Sequence, residues 1–281
     1  MIQTTKDKLA TTIRAGFLPI LVNDTLDPLF LAEICLEAGL PAIEYSLRRT
    51  DIRQMLPRLK TRFPELILLA ASTIDDDNCV SFLKKKRDFL SLDELYRLNV
   101  DGIVSMLPFR QETYKTYGEE WLFVPGVETA AEALQQLRWG GHLIKFFNAE
   151  VFGGPRRIRT LQGPSHGIFP IVVTGGMTRD MVLPYMEGSA LALAAGFDII
   201  LGERYQEMQE TPDKTLIRSR LEGYVNAVAE TRAKLGQSHW AQIKDADALL
   251  IATGRYFPFQ AQSAATAGSR RSSHDPRAHS L

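Results

Sequence analysis

A lysine stands in the middle of a short apolar run, Leu143-Ile144-Lys145-Phe146-Phe147. Taking an ammonium out of water costs on the order of several kcal/mol unless it is paired or gives up its proton. The neutral amine is a nucleophile, and its usual reaction partner is a carbonyl carbon, with which it forms a Schiff base. Side chains alternate along a strand, so Leu143, Lys145 and Phe147 share one face and Ile144 and Phe146 the other. The plainer reading is a lysine near a strand end whose head reaches water along its own stem. A carboxylate, Glu44, sits in an equally apolar setting, Ala42-Ile43-Glu44-Tyr45-Ser46-Leu47-Arg48. A structural ion pair would also account for it, since such pairs perturb buried charges as active sites do.

A lysine and a glutamate facing one lumen would be a more specific signal than either alone. Schiff-base chemistry needs proton transfers at the carbinolamine and at the carbon that becomes an enamine. One carboxyl group alternating between acid and base serves both. The protonated imine then acts as the electron sink when a carbon–carbon bond breaks.

Such residues need a frame to hold them. Apolar runs of strand length fall at 17–22, 41–46, 66–72, 102–106, 121–125, 143–147, 169–174 and 189–195. Nearly all the segments between them suit helices. Segment 27–39 ends in glycine, as helix C-termini do. Segment 129–139 opens with Thr129 as an N-cap. Segment 178–187 opens with Thr178 and carries a stripe of Met181, Val182, Tyr185 and Met186. Eight βα units over roughly 220 residues predict a (β/α)8 TIM barrel preceded by an N-terminal helix. An open doubly wound sheet is the alternative, because periodicity does not prove closure.

A helix pattern runs through 213–235, and segment 238–252 has the pattern of a further docked helix. From 258 the composition turns to Gln, Ser, Ala, Gly, Arg and His without periodicity, which reads as a disordered tail. The expected organisation is therefore a barrel over 1–236, a C-terminal helical extension over 237–257 and a tail over 258–281. The lysines at 84–86 read as a solvated helix face. Asp75, Asp76 and Asp77 suit the start of a helix, where they would cap it.

The 281 residues carry no net charge, and 45% are hydrophobic against 23% charged. That argues against bulk attraction to nucleic acid or to an anionic membrane. No apolar run reaches membrane-spanning length, and the first sixteen residues lack the apolar core of a signal peptide. The two cysteines, Cys35 and Cys79, make neither a disulfide framework nor a metal spacing, so a cytoplasmic protein is expected.

In a barrel the active site lies at the carboxyl ends of the strands. Those ends read Ala71-Ser72-Thr73, Pro125-Gly126, Thr174-Gly175-Gly176 and Ala194-Ala195-Gly196. The seventh and eighth strands are neighbours in this fold, and backbone N–H groups there often bind an anion. Glycines let the backbone come close to it. A glycine that simply ends a strand is the plainer alternative.

These residues also match a family. The chain, from about residue 7 to about residue 235, resembles the class I aldolases that cleave 2-keto-3-deoxy-6-phosphogluconate and 4-hydroxy-2-oxoglutarate. Residues 145–154, KFFNAEVFGG, are similar to that family's Lys-Phe-Phe-Pro-Ala-Glu followed by Gly-Gly. Glu44-Tyr45-Ser46-Leu47-Arg48 matches its Glu-x-x-Leu-Arg. Ala70-Ala71-Ser72-Thr73 matches its Gly-Ala-Gly-Thr, and Val124-Pro125-Gly126 with Thr129 and Glu132 matches its Ile-Pro-Gly, Thr and Glu. Val173-Thr174-Gly175-Gly176 matches its Pro-Thr-Gly-Gly.

The resemblance implies a Schiff-base role for Lys145 and a general acid/base role for Glu44. It implies that Arg48 and Thr73 position the pyruvate carboxylate, and that Pro125, Phe147 and Thr174 contribute to the substrate site. Gly175, Gly176, Ala195 and Gly196 would cradle the distal anion or border the aldehyde half. It further implies a small keto-acid substrate, no cofactor and a homotrimer. Three positions depart from the family. Its proline is Asn148, its Ser-Pro-Gly is Ser105-Met106-Leu107, and its phosphate loop Gly-Gly-Ser is Ala194-Ala195-Gly196. The last departure removes a phosphate-binding hydroxyl, for which Arg156, Arg157 and Arg159 are candidate substitutes, against an exposed helix face.

The expected function is a class I aldolase that cleaves a 2-keto-4-hydroxy acid to pyruvate and an aldehyde. Alternatives are an unphosphorylated 2-keto-3-deoxy sugar acid as substrate, and a keto-acid-binding barrel without turnover. A metal-dependent aldolase would need a His, Glu and Asp ligand cluster that the sequence does not offer.

Overall fold

The computed structural model describes residues 3–260. Eight short strands are present: β1 Phe17–Leu21, β2 Ala42–Ser46, β3 Ile67–Ala71, β4 Gly102–Val104, β5 Leu122–Val124, β6 Ile144–Phe146, β7 Ile171–Thr174 and β8 Ala192–Gly196. All pair in parallel, in the order β5-β4-β3-β2-β1-β8-β7-β6. The two ends of that order then meet. Lys145 N donates to Pro125 O at 2.8 Å, and Val127 N donates to Lys145 O at 3.0 Å. The parallel bridge between Gly126 and Lys145 closes the ring, so the open doubly wound sheet is excluded.

Each strand buries both faces, which is why its residues read as near-continuous apolar runs. One set of side chains fills the lumen: Leu18, Leu69, Val104, Leu122, Leu143 and Val172 among them. The other set, including Ile43, Tyr45, Leu68, Ile144 and Phe146, packs outward under the helices. The alternation expected for residues 143–146 is therefore present, with Leu143 and Lys145 turned inward.

The helix Thr5–Ala15 begins at a capping box between Thr4 and Asp7 and ends at Gly16. That glycine has φ +67°, and a Cβ there would meet Val228 and Arg232 at 2.7 and 2.8 Å. Leu9, Ala10 and Ile13 of this helix join Trp240, Leu249 and Phe257 in the same cluster as the lumen residues. The C-terminal extension, with its helix Ala246–Ala252, thus packs with the first helix as part of the barrel core.

The caps expected at Thr129 and in Asp75–Asp77 are present, and Asp27 adds a further one. Asp27 caps Pro28–Glu37, Thr129 forms a capping box with Glu132, and Asp76 caps Asp77–Lys84 by accepting from Cys79 N. Segment 178–187 differs from the expected single helix. It starts as a 3-10 turn, Arg179–Met181, and becomes α-helical only over Val182–Glu187. The expected tail over 258–281 also needs revision at its start. Phe259 packs on His142, ring centroids 5.0 Å apart, so 258–260 belong to the folded body. Residues 261–281 of that tail lie outside the described residues. Among the described residues no helix is long and apolar enough to cross a membrane.

Candidate active site

Glu44 lies on β2 and Lys145 on β6, and both side chains enter the lumen near the carboxyl ends of the strands. Lys145 Nζ donates to Glu44 Oε2 at 3.1 Å. The pair is buried, with Glu44 1% and Lys145 7% exposed. Glu44 Oε1 is buried and has no hydrogen-bond partner. An unpartnered carboxylate oxygen beside an ammonium is expensive as a purely structural element. As a proton exchanger Glu44 is well placed, because it holds the lysine and lines the cavity beside it.

The pair opens into a cavity of about 290 Å3. Its walls include Ile20, Ser46, Arg48, Ser72, Thr73, Ile74, Met106, Leu107, Phe147 and Thr174. Four of the sequence-expected binding residues, Arg48, Thr73, Phe147 and Thr174, therefore meet Lys145 and Glu44 here. Pro125, Gly175, Gly176, Ala195 and Gly196 do not line it. Pro125 is used by its carbonyl, which accepts from Lys145 N, while its ring is turned toward Gly141. At Gly175, with φ +100°, the Asn148 carboxamide fills the adjacent space, 2.3 Å from where a Cβ would stand. At Gly196 the Asp198 carboxylate does the same at 2.4 Å. Ala195 is buried in the outer core. Only Gly176, at φ +72°, has open space beside its Cα.

Thr73 lines the cavity, but its hydroxyl proton is committed to Val104 O at 2.9 Å. Ser105 is likewise committed, to Thr73 O at 2.8 Å, which leaves Arg48 and the hydroxyls of Ser46, Ser72 and Thr174 as further donors on the wall. Ser46 Oγ accepts from Arg48 N at 3.2 Å and from Arg48 Nε at 3.3 Å, and lies 3.1 Å from Ser72 Oγ. Ser72 has φ +63°, a region non-glycine residues rarely adopt. Strain of this kind gathers at functional sites when the surroundings enforce it. Both serines fall inside the sequence motifs but carry no assigned role there, because small hydroxyl residues at strand ends are too common to single out.

The next arginine goes the other way. Arg49 is 1% exposed and binds Asp51 through Nη2 at 2.7 Å and Tyr45 Oη through Nε at 3.0 Å. It braces β2 from behind and takes no part in the cavity. Arg156 and Arg159 are exposed, and Arg157 lies 3.8 Å from Glu128, so none of the three substitutes for a phosphate contact in the cavity. Among the described residues no three His, Cys, Asp or Glu side chains come together as a metal cradle.

A family model described as KDPG and KHG aldolase matches residues 110–210. A 2-dehydro-3-deoxy-phosphogluconate aldolase from Pseudomonas aeruginosa is 28% identical over 180 residues, 61% of this chain and 72% of its own length. A 2-dehydro-3-deoxy-6-phosphogalactonate aldolase from Escherichia coli is 23% identical over 164 residues, 58% of this chain and 74% of its own. The solved structure of a KDPG aldolase from Legionella pneumophila, described as holding pyruvate captured as a covalent carbinolamine, shares the fold with a TM-score of 0.63. It is 19% identical and covers 77% of this chain and 97% of its own.

Proposed function

We infer that this chain shares the chemistry of the KDPG and KHG aldolases, which its motifs resemble and its family model and relatives name, and is a carbon–carbon lyase. We propose that this chain is a class I aldolase that works through a Schiff base on Lys145. The observation that carries this reading is the 3.1 Å contact between Lys145 and Glu44 at the floor of the cavity. The carbinolamine described for the Legionella neighbour supports it by analogy.

In the cleavage direction Glu44 takes a proton from Lys145, and the freed amine attacks C2 of a 2-keto-4-hydroxy acid. A C–N bond forms and the former carbonyl oxygen gains a proton. Loss of that oxygen as water, with a proton from Glu44, gives the protonated imine. Glu44 then removes the C4 hydroxyl proton, the C3–C4 bond breaks, and its electron pair moves into the imine to give an enamine. The aldehyde leaves. Protonation at C3 by Glu44 and addition of water release pyruvate and restore Lys145. Arg48, braced by Ser46, binds the pyruvate carboxylate, and Phe147 and Thr174 border the carbon chain. The homotrimer is carried over from the family likeness, and light scattering on the purified protein tests it.

The deciding experiment is borohydride reduction in the presence of pyruvate, followed by peptide mass spectrometry. A reduced pyruvyl adduct on Lys145 is expected. A folded protein that gives no adduct would be a keto-acid binder without this chemistry.

A further inference from the structure

Resting on the Schiff-base reading above, we infer that the aldehyde half of the substrate is unphosphorylated and apolar, and that Met106 and Leu107 select it. The product of the synthetic direction is then a 4-hydroxy-2-oxo acid with an alkyl or aryl substituent on C4.

Three observations lead there. The first is where the free space lies. The cavity extends from Lys145 over the ends of β3 and β4, onto Ile74, Met106 and Leu107, and not toward β8. Of the glycines in the turns after β7 and β8, Gly175 and Gly196 have the adjacent space filled by Asn148 and Asp198, and Gly176 alone keeps it open, outside the cavity lining. A carboxylate at the start of Phe197–Leu201 repels a phosphate where neutral donors would attract one.

The second is charge. Among the residues lining the cavity the cations are Lys145 and Arg48. Lys145 is consumed in the imine and Arg48 is required by the pyruvate carboxylate, so no cation remains for a phosphate dianion.

The third is the wall itself. Met106 is 59% exposed and Leu107 46%, large values for apolar residues at the mouth of a cavity. The turn that presents them is fixed. Leu107 N donates to Ser105 Oγ at 2.9 Å, and Gly126 N donates to Leu107 O at 3.2 Å. Gly126 itself lies so close to the Met106 backbone that a Cβ would stand 2.2 Å from it. A rigid apolar ledge beside a reactive amine gains from covering by an apolar substituent, about fourfold in affinity for each methylene it buries.

The test is aldol addition of pyruvate to a panel of aldehydes by the wild-type protein: acetaldehyde, propanal, butanal, pentanal, glyoxylate and glyceraldehyde 3-phosphate. Pyruvate trapping on Lys145 is measured alongside. We expect kcat/KM to rise from acetaldehyde to pentanal and to exceed that for glyceraldehyde 3-phosphate about tenfold or more. The double variant Met106→Ser, Leu107→Ser should lower the ratio of pentanal to glyceraldehyde 3-phosphate by a similar factor, chiefly through KM. An adduct on Lys145 together with a preference for the phosphorylated aldehyde or for glyoxylate overturns this inference and leaves the Schiff-base reading standing. A ratio unmoved by the double variant overturns the role of the ledge. Absence of any adduct overturns both readings together.

Discussion

Lys145 and Glu44 lie 101 positions apart in sequence and 3.1 Å apart in space, joined across the lumen from β6 to β2. The same lysine closes the barrel with its backbone, through Pro125 O and Val127 N. Seam and buried amine are thus one residue, so its side chain is aimed by the two hydrogen bonds that complete the ring.

Replacing Lys145 by Met should abolish the pyruvate adduct while the barrel still folds, since the seam bonds are backbone bonds. Stability should fall by up to about 3–5 kcal/mol, because Glu44 is left buried without its cation. Adding Glu44→Gln to Lys145→Met should recover part of that loss. Urea unfolding of the two variants measures it. A single variant that keeps near wild-type cleavage would remove Lys145 from the mechanism.

Glu44→Gln keeps the shape and loses the proton exchanger. Exchange of the pyruvate methyl protons with solvent deuterium should slow by about 10²–10⁴. Proton NMR of pyruvate in heavy water reads this directly. Equal exchange rates in variant and parent would assign the proton transfers elsewhere.

Ser46 acts through Arg48, holding its backbone N and its Nε. Ser46→Ala should raise KM for the keto acid about fivefold, the cost of one ordinary hydrogen bond, and leave kcat nearly unchanged. Ser46→Thr should restore most of the loss. A fall in kcat with unchanged KM would mean that Ser46 serves the chemical step instead.

The strands are legible in the sequence because each is an apolar run bounded by turn residues, and β-strands buried on both faces need nothing else. Lys145 and Glu44 are legible because a charge inside such a run demands a reason. Closure of the ring is not legible, since it rests on hydrogen bonds between the ends of β5 and β6 that no periodicity encodes. Arg48 is legible only through the Glu-x-x-Leu-Arg motif: its chemistry does not separate it from Arg49, which the turn after β2 sends to Asp51 instead of the cavity. The glycine turns after β7 and β8 mislead for a similar reason. Glycine leaves space beside the backbone, but Asn148 and Asp198 occupy it at two of the positions. Met106 and Leu107 read as ordinary apolar residues until the structure shows them exposed at the cavity mouth.

His142 offers a test of the fold away from the cavity. It is buried behind β5, its Nδ1 accepting from Phe123 N at 3.0 Å, and its ring meets Phe259 of the C-terminal extension. Burial pushes its pKa down from 6.5 to about 3. The unfolded chain therefore binds a proton that the folded chain refuses throughout that interval. The stability associated with neutral His142 is fully present above pH 6.5 and is lost progressively as pH falls toward 3. By pH 5 the loss is about 2 kcal/mol. His142→Gln retains an acceptor for Phe123 N and has no proton to gain. Its unfolding free energy should therefore drop less between pH 7 and pH 5 than that of the parent, by about the same 2 kcal/mol. Parallel pH curves for the two proteins would show that the imidazole carries its charge inside the fold, and that the contact with Phe259 is made by an imidazolium.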